Sequence, residues 1–110
     1  MLSEVYIIST LRSAPGKGHQ LREVLRETTA RIDIVEKGCL AFMLTETKAS
    51  CGHDVIEFKV IERWASSEDL AHHQQRDWLK QMYRIFEEKS LLAEPEHIEK
   101  LTFLAGFASR

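Results

Sequence analysis

The sequence predicts an α+β fold of the ferredoxin-like βαββαβ type, in which a four-stranded antiparallel sheet carries helices on one face. Three observations lead to this prediction. Four short stretches are rich in β-branched and apolar residues, two longer stretches carry apolar residues at helical spacing, and turn-forming residues separate them. The chain has 110 residues, 44% of them hydrophobic, which suits one domain with one core. We therefore expect a single domain over 1–110, with its structured part at about 4–104.

The first strand is expected at residues 5–11, where Val, Tyr and Ile side chains fall on both faces, as in a central strand covered on both sides. Pro15-Gly16 predicts a turn after this strand. The first helix is expected over 19–35, because apolar residues recur at steps of three and four with charged residues opposite them. Gly38 is expected to close this helix in the left-handed conformation.

Residues 39–47 and 55–64 are expected to form a hairpin, joined by a polar loop that contains Cys51, His53 and Asp54. A solvent-exposed turn explains this loop better than a set of metal ligands does. Side chains alternate along a strand, so the third strand should present one nearly apolar face, formed by Ile56, Phe58, Val60, Glu62 and Trp64. A carboxylate such as Glu62 is costly to bury without a partner. It is therefore either hydrogen-bonded to a nearby donor, which we favour, or functional.

A second helical region follows the third strand. Ser66 or Ser67 should cap it, and Ser66 with Asp69 approximates a capping box. A bend near 75–77 divides the pattern into a short and a longer helix, and Glu94-Pro95-Glu96 stops it. The fourth strand is expected within 97–107, including Ile98, Leu101, Phe103 and Leu104.

Two adjacent histidines lie in the short helix. Neighbouring residues on a helix diverge by about 100°, so His72 and His73 cannot both face one site, and a metal site built from this pair is not expected. We expect His73 to point inward and His72 to lie at the surface. The two cysteines, Cys39 and Cys51, are too few and too widely spaced for a zinc site or a disulfide scaffold.

Charge and hydropathy exclude several classes of partner. With 15 basic and 17 acidic side chains the net charge is −2, so no attraction to nucleic acid is expected. No apolar run approaches the roughly 20 residues that span a bilayer, and the N-terminus lacks the features of a secretory signal. We expect a cytoplasmic protein without membrane association. Tyr6, Ile8 and Ile61 would form an apolar patch on the helix-free face of the sheet, which predicts a homodimer through that face.

Three features together resemble a known family: the Pro15-Gly16 turn, the helix-to-strand turn at 36–40, and Ile61-Glu62-Arg63-Trp64 followed by Glu68-Asp69-Leu70-Ala71-His72-His73. Over about 4–103 the chain resembles the antibiotic biosynthesis monooxygenase family, dimeric α/β-barrel proteins that include quinol and anthrone monooxygenases. The resemblance implies homodimers packed sheet against sheet. It also implies oxidation of a small phenolic, quinol or anthrone-type aromatic by molecular oxygen, with no metal, flavin or haem.

The resemblance also implies roles for individual residues. His73 becomes the candidate base that removes a phenolic proton, and Trp64 becomes a flat apolar wall. Glu62, Ser9, Phe58 and Tyr83 are expected to line the pocket.

Two other functions remain open beside this one. Haem degradation is disfavoured, because the residues that haem-degrading relatives use are replaced in this sequence by Ser9, His73 and Tyr83. An isomerase of the same superfamily, acting on a phosphorylated sugar, would require a basic cluster that is not obvious in the sequence. The other alternative is a non-catalytic dimeric module that binds a small molecule, since fold alone does not imply catalysis.

Overall fold

The computed structural model describes residues 3–47, 52 and 54–110. Along this part of the chain, four strands and three helices follow one another as β1 (Val5–Arg12), α1 (Gly18–Val35), β2 (Cys39–Glu46), β3 (Glu57–Trp64), α2 (Ser67–Gln74), α3 (Asp77–Glu88) and β4 (His97–Leu101). The strands form one antiparallel sheet in the order β2-β3-β1-β4. The predicted ferredoxin-like α+β fold is confirmed, and β1 is central as expected. Cys51 and His53 lie outside the described residues.

The helix α1 exists because its apolar stripe packs on the sheet. Leu21, Leu25, Thr28 and Ile32 are buried at steps of three and four, which confirms the predicted periodicity. Gly38 was expected to adopt the left-handed conformation, and this expectation is wrong, since its φ is not positive. A Cβ atom at Gly38 would instead lie 2.3 Å from Cγ of Asp69, so the glycine lets the start of α2 approach this turn.

The turn before α1 follows the prediction. Gly16 has a φ of 77°, a conformation that costs glycine little because it has no Cβ. The amide of Lys17 donates to the carbonyl of Ala14 at 3.0 Å and closes the turn around Pro15. This turn delivers the chain from the end of β1 to the start of α1.

The cap and the bend of the second helical region are also confirmed. The Ser66 hydroxyl accepts a hydrogen bond from the Asp69 amide at 3.1 Å and donates one to Asp69 Oδ2 at 2.8 Å. α2 ends at Gln74 and α3 begins at Asp77. The helical pattern, however, stops well before Pro95. α3 ends at Glu88 because Ser90 adopts a φ of 51° and turns the fully buried Leu91 into the core.

The last strand is shorter than predicted. β4 pairs with β1 from His97 opposite Thr10 to Leu101 opposite Tyr6. β1 begins at Val5, so the residues after Leu101 have almost no partner left in the ladder. Phe103, which was expected within the strand, stacks on Tyr6 with 5.6 Å between ring centroids.

The sheet has one covered and one open face. Ile7, Ser9 and Leu11 of β1 and alternate residues of β3 are buried beneath the helices. On the other face the register places Ile8, Ile61 and Met43 side by side across three strands. Ile61 and Met43 are 37% and 50% exposed, so this apolar row is accessible in the single chain. Charged side chains, Lys59 and Arg63, lie beside it on the same face. Within the described residues, no helix is both long and apolar enough to cross a membrane.

Candidate active site

Two adjoining cavities lie between the sheet and the helices. The outer cavity, about 240 Å³, is lined by Ile7, Ser9, Glu62, Leu70, His73, Gln74, Leu79, Lys80, Tyr83, Glu96 and Ile98. The inner cavity is smaller, about 40 Å³. The residues that line both are Glu62, His73, Leu79, Tyr83 and Glu96. Larger depressions lie beside the end of α1 and beside the segment after α3, but the buried His73 and Glu62 converge only on the paired cavities. We therefore place the candidate site there.

His73 is held by a buried carboxylate. The side chain of His73 is 7% exposed, and its Nδ1 is hydrogen-bonded to Oε2 of Glu36, whose side chain is 3% exposed. Arg76 Nε donates to the other carboxylate oxygen at 3.3 Å. When Nδ1–H donates to a carboxylate, the imidazole keeps Nε2 as an acceptor and its orientation is fixed. His73 can then accept a proton from a molecule in the cavity that it lines.

The neighbouring His72 behaves as expected for the opposite side of the helix. Its side chain is 65% exposed and lies 4.0 Å from the Glu68 carboxylate. The inward and outward assignments of the two histidines are therefore confirmed. No group of three or more His, Cys, Asp or Glu side chains is arranged to hold a metal ion in 3–47, 52 and 54–110.

Trp64 contacts residues of the site without lining it. Its side chain is completely buried and lines neither cavity. The indole ring packs against His73 with 4.6 Å between centroids, and the Trp78 ring lies edge-on to the imidazole with 6.0 Å between centroids. Trp64 Nε1 donates a hydrogen bond to Glu62 Oε1 at 2.9 Å. Trp64 thus fixes the two polar groups that face the cavities.

Glu62 is hydrogen-bonded to Trp64, as we expected for a carboxylate on an apolar strand face. Burial raises the pKa of its carboxyl to about 7, and the charges of Glu96 and Glu36 act in the same direction, while the bond from Trp64 opposes them. A carboxyl with this pKa exchanges a proton near neutral pH. Two groups that can accept or donate a proton, Glu62 and His73, therefore border the cavities.

Replacing Glu62 by glutamine is expected to remove a pH dependence of stability. The folded carboxyl keeps its proton up to about pH 7, whereas the unfolded one loses it near 4.5. The free energy of unfolding therefore falls as pH rises through this window, by about 3 kcal/mol. Urea unfolding of both proteins on either side of the window measures this term. Identical pH profiles for the wild type and Glu62→Gln would contradict it.

The remaining predicted pocket residues divide into two groups. Ser9 lines the outer cavity and Tyr83 lines both cavities. The Tyr83 hydroxyl donates to Glu96 Oε1 at 2.7 Å, and burial together with Glu96 raises the pKa of this phenol. Phe58, in contrast, is 1% exposed, packs in the core and lines neither cavity.

Two residues of the site were missed in the sequence. Glu36 had a signal, because it follows Ile32 by four residues and so continues the buried stripe of α1. An acidic residue in that position indicates a buried partner. Glu96 gave no such signal, since it lies in an irregular segment after Pro95 and reaches Tyr83 only through the tertiary fold. Burial and the charge of Glu62 raise the pKa of the Cys39 thiol to about 12, so the thiol keeps its proton near neutral pH.

Comparison with known proteins agrees with this architecture. The sequence profile of the antibiotic biosynthesis monooxygenase family matches residues 4–84. A search of curated proteins found no match. The chain is similar to the crystal structure of a candidate antibiotic biosynthesis monooxygenase from Caulobacter crescentus, with 27% identity over 94% of this chain and 92% of that one, at a TM-score of 0.81.

Two further structures extend the comparison. A Pseudomonas aeruginosa protein is 30% identical over 96% of this chain and 98% of that one, with a TM-score of 0.81. A conserved Bacteroides thetaiotaomicron protein of unknown function, suggested to be an oxidoreductase, is 26% identical over 94% of this chain and 100% of that one, with a TM-score of 0.76. The family match covers most of the chain, and the fold is the same. The chain therefore belongs to the antibiotic biosynthesis monooxygenase family.

Proposed function

We propose that this protein is a cofactor-independent monooxygenase that oxidises a small phenolic, quinol or anthrone-type aromatic with molecular oxygen. One observation carries the proposal above the others. His73 is oriented by the buried Glu36 and lines a cavity of about 240 Å³ between the sheet and the helices. A held base beside a cavity suits removal of a proton from a bound substrate.

The chemistry starts with this proton transfer. Nε2 of His73 accepts the phenolic proton, and the substrate anion gives an electron pair to oxygen, forming a carbon–oxygen bond. The resulting peroxide is protonated, the carbon that bears it loses its hydrogen as a proton, and the oxygen–oxygen bond breaks with release of water. A quinone carbonyl remains, so one oxygen atom stays in the product and the other leaves as water. The substrate itself supplies all four electrons that reduce dioxygen to the product oxygen and water. The apolar surround of Ile7, Leu70 and Leu79 keeps bulk water away from the peroxide.

The charges around the outer cavity favour a neutral substrate. Glu96 borders it and Glu36 lies behind His73, while Glu62 adds a negative charge only above about pH 7. Lys80 is the one permanently cationic side chain among the described residues that line it. A carboxylate or phosphate on the substrate would meet these acidic groups in a partly enclosed space, where like charges cost more than in water. A phosphorylated sugar, the substrate of the alternative isomerase, fits this lining less well than a neutral phenol.

Oxygen consumption tests the proposal. Purified, metal-free protein is offered a panel of hydroquinones and anthrones, and oxygen uptake is followed with an electrode. Uptake above the spontaneous rate with at least one neutral phenolic compound is expected. Binding of these compounds without uptake would favour the non-catalytic small-molecule module instead.

The homodimer belongs to the same proposal. The row formed by Ile8, Ile61 and Met43 lies on the open face of the sheet, and an exposed apolar row of this kind is stabilised when a second copy covers it in a two-fold arrangement. Tyr6 and Leu101, paired across β1 and β4, extend the same face.

Replacing Ile61 by aspartate is expected to weaken this dimer at least about 100-fold, since each subunit then buries an unpaired charge at the interface. Multi-angle light scattering over a dilution series measures the change. Ile34→Asp is the matched control, because Ile34 is 73% exposed on α1 rather than on the sheet, and it should leave the mass unchanged. A wild-type protein that is monomeric at micromolar concentration would contradict the expectation.

A further inference from the structure

The inner cavity differs from the outer one in size and lining. Its volume is about 40 Å³, which exceeds the roughly 10–15 Å³ that one water molecule needs but falls far below the roughly 150 Å³ of an engineered cavity that binds benzene. An aromatic ring therefore does not fit. Most of its wall is apolar and comes from the sheet and both long helices: Leu11, Leu25, Phe42, Leu44, Val60, Leu79 and Met82.

The polar groups along this wall already have partners. The Thr28 hydroxyl donates to the carbonyl of Val24 at 3.0 Å and lies 3.1 Å from Met82 Sδ. The Thr29 hydroxyl donates to the carbonyl of Leu25 at 2.8 Å. The Tyr83 hydroxyl donates to the Glu96 carboxylate. A buried water needs two to four hydrogen-bonding partners, and among the described residues only Glu62, His73 and Glu96 offer them, all on the side that the inner cavity shares with the outer one. The rest of the wall, toward α1 and β3, offers none. A small apolar molecule requires none.

The position of the inner cavity connects it with the proposed chemistry. It shares Glu62, His73, Leu79, Tyr83 and Glu96 with the outer cavity, so an occupant would lie directly beside a ring bound there. We propose that the inner cavity is a binding site for molecular oxygen, held next to the substrate ring on the side of α1 and β3. Its role in turnover rests on the proposed monooxygenase function, whereas its affinity for a small apolar gas does not.

Dioxygen itself is the probe, because it is paramagnetic and broadens the NMR signals of nearby methyl groups. Spectra of methyl-labelled wild-type protein are compared under nitrogen and under pressurised oxygen. Selective broadening is expected at Leu25, Val60 and Met82, which line the inner cavity but not the outer one. Leu21 and Leu91 are the controls, since both are fully buried in the same core and line neither cavity. No broadening, or equal broadening of both sets, would overturn the site.

A variant then tests whether the gas site serves the reaction. Val60→Ile adds one methylene group to the cavity wall, and Val24→Ile makes the same change in a groove between α1 and α3, at a residue that lines neither cavity. Val60→Ile is expected to abolish the selective broadening and to raise the KM for oxygen about 10-fold, equivalent to about 1.4 kcal/mol, with kcat at saturating oxygen unchanged. Val24→Ile is expected to leave both measurements as in the wild type.

The outcomes separate this inference from the proposed function. Lost broadening with an unchanged KM for oxygen would overturn the delivery role. Selective broadening in a wild-type protein that oxidises none of the phenols would support the gas site and refute the monooxygenase. The wild-type spectra test the oxygen site without any variant, so a folding defect in Val60→Ile would not affect that test.

Discussion

Replacing His73 by alanine is expected to lower kcat for oxygen consumption about 100- to 10,000-fold, the usual contribution of a positioned general base. The reason is that the ring is the group that Glu36 orients toward the cavity. Steady-state oxygen uptake with the best phenolic substrate measures the effect. Because alanine leaves one oxygen of the buried Glu36 carboxylate without the donor that His73 provides, His73→Gln, which keeps a donor in place, guards against a loss caused only by unfolding.

His72→Ala is the matched control for this prediction. It removes a histidine from the adjacent position on the same helix, but that side chain is 65% exposed and should not affect turnover. Glu36→Gln should give an intermediate loss, since an amide cannot stabilise the imidazolium that forms when His73 accepts a proton. Wild-type kcat in His73→Gln, or an equal loss in His72→Ala, would contradict the role of His73 as base.

Replacing Trp64 by alanine is expected to lower the free energy of unfolding by about 3–5 kcal/mol, as large-to-small substitutions of fully buried aromatic residues do. Trp64 has no exposed surface, and its ring supports His73 while its Nε1–H holds Glu62. The alanine variant therefore leaves a large void and removes the donor that faces a buried carboxyl. Urea unfolding near pH 7 measures the loss.

Two phenylalanine variants separate the packing of this ring from its hydrogen bond. Trp64→Phe retains most of the ring but leaves Glu62 without its donor, which should cost about 1–3 kcal/mol. Trp78→Phe is the comparison, because Trp78 is only partly buried beside the core, and a change within about 1 kcal/mol is expected there. If the two phenylalanine variants are equally stable, the hydrogen bond to Glu62 does not contribute as described.

The sequence predicted what periodicity and turn chemistry determine. The stripe of α1, the alternation in β3, the Ser66 cap and the inward direction of His73 are local consequences of residue order, and the structure confirms each of them. The predictions for Gly38 and for the length of β4 were wrong because both depend on tertiary neighbours. Asp69 of α2 occupies the space that a Cβ atom at Gly38 would need. β1 begins at Val5, so none of its residues lies opposite Phe103.

The site was predicted less completely than the fold. Trp64 and Phe58 lie on the correct face of β3, yet both are fully covered and line neither cavity, because periodicity gives the face of a strand but not the depth of a residue within the core. Glu36 was visible as an acidic residue in an apolar stripe. Its pairing with His73 joins residues 37 positions apart, a distance over which the sequence pattern carries no information.

The central claim is that His73 lets a bound phenolic substrate react with oxygen without a cofactor. Its most direct test is the mass of the product formed by metal-free protein under ¹⁸O-labelled dioxygen. One labelled oxygen atom per product molecule is expected with the wild type and with His72→Ala, and label at the spontaneous level is expected with His73→Gln. Product without label, whose new oxygen atom would then come from water, or incorporation that persists in His73→Gln, would contradict the claim.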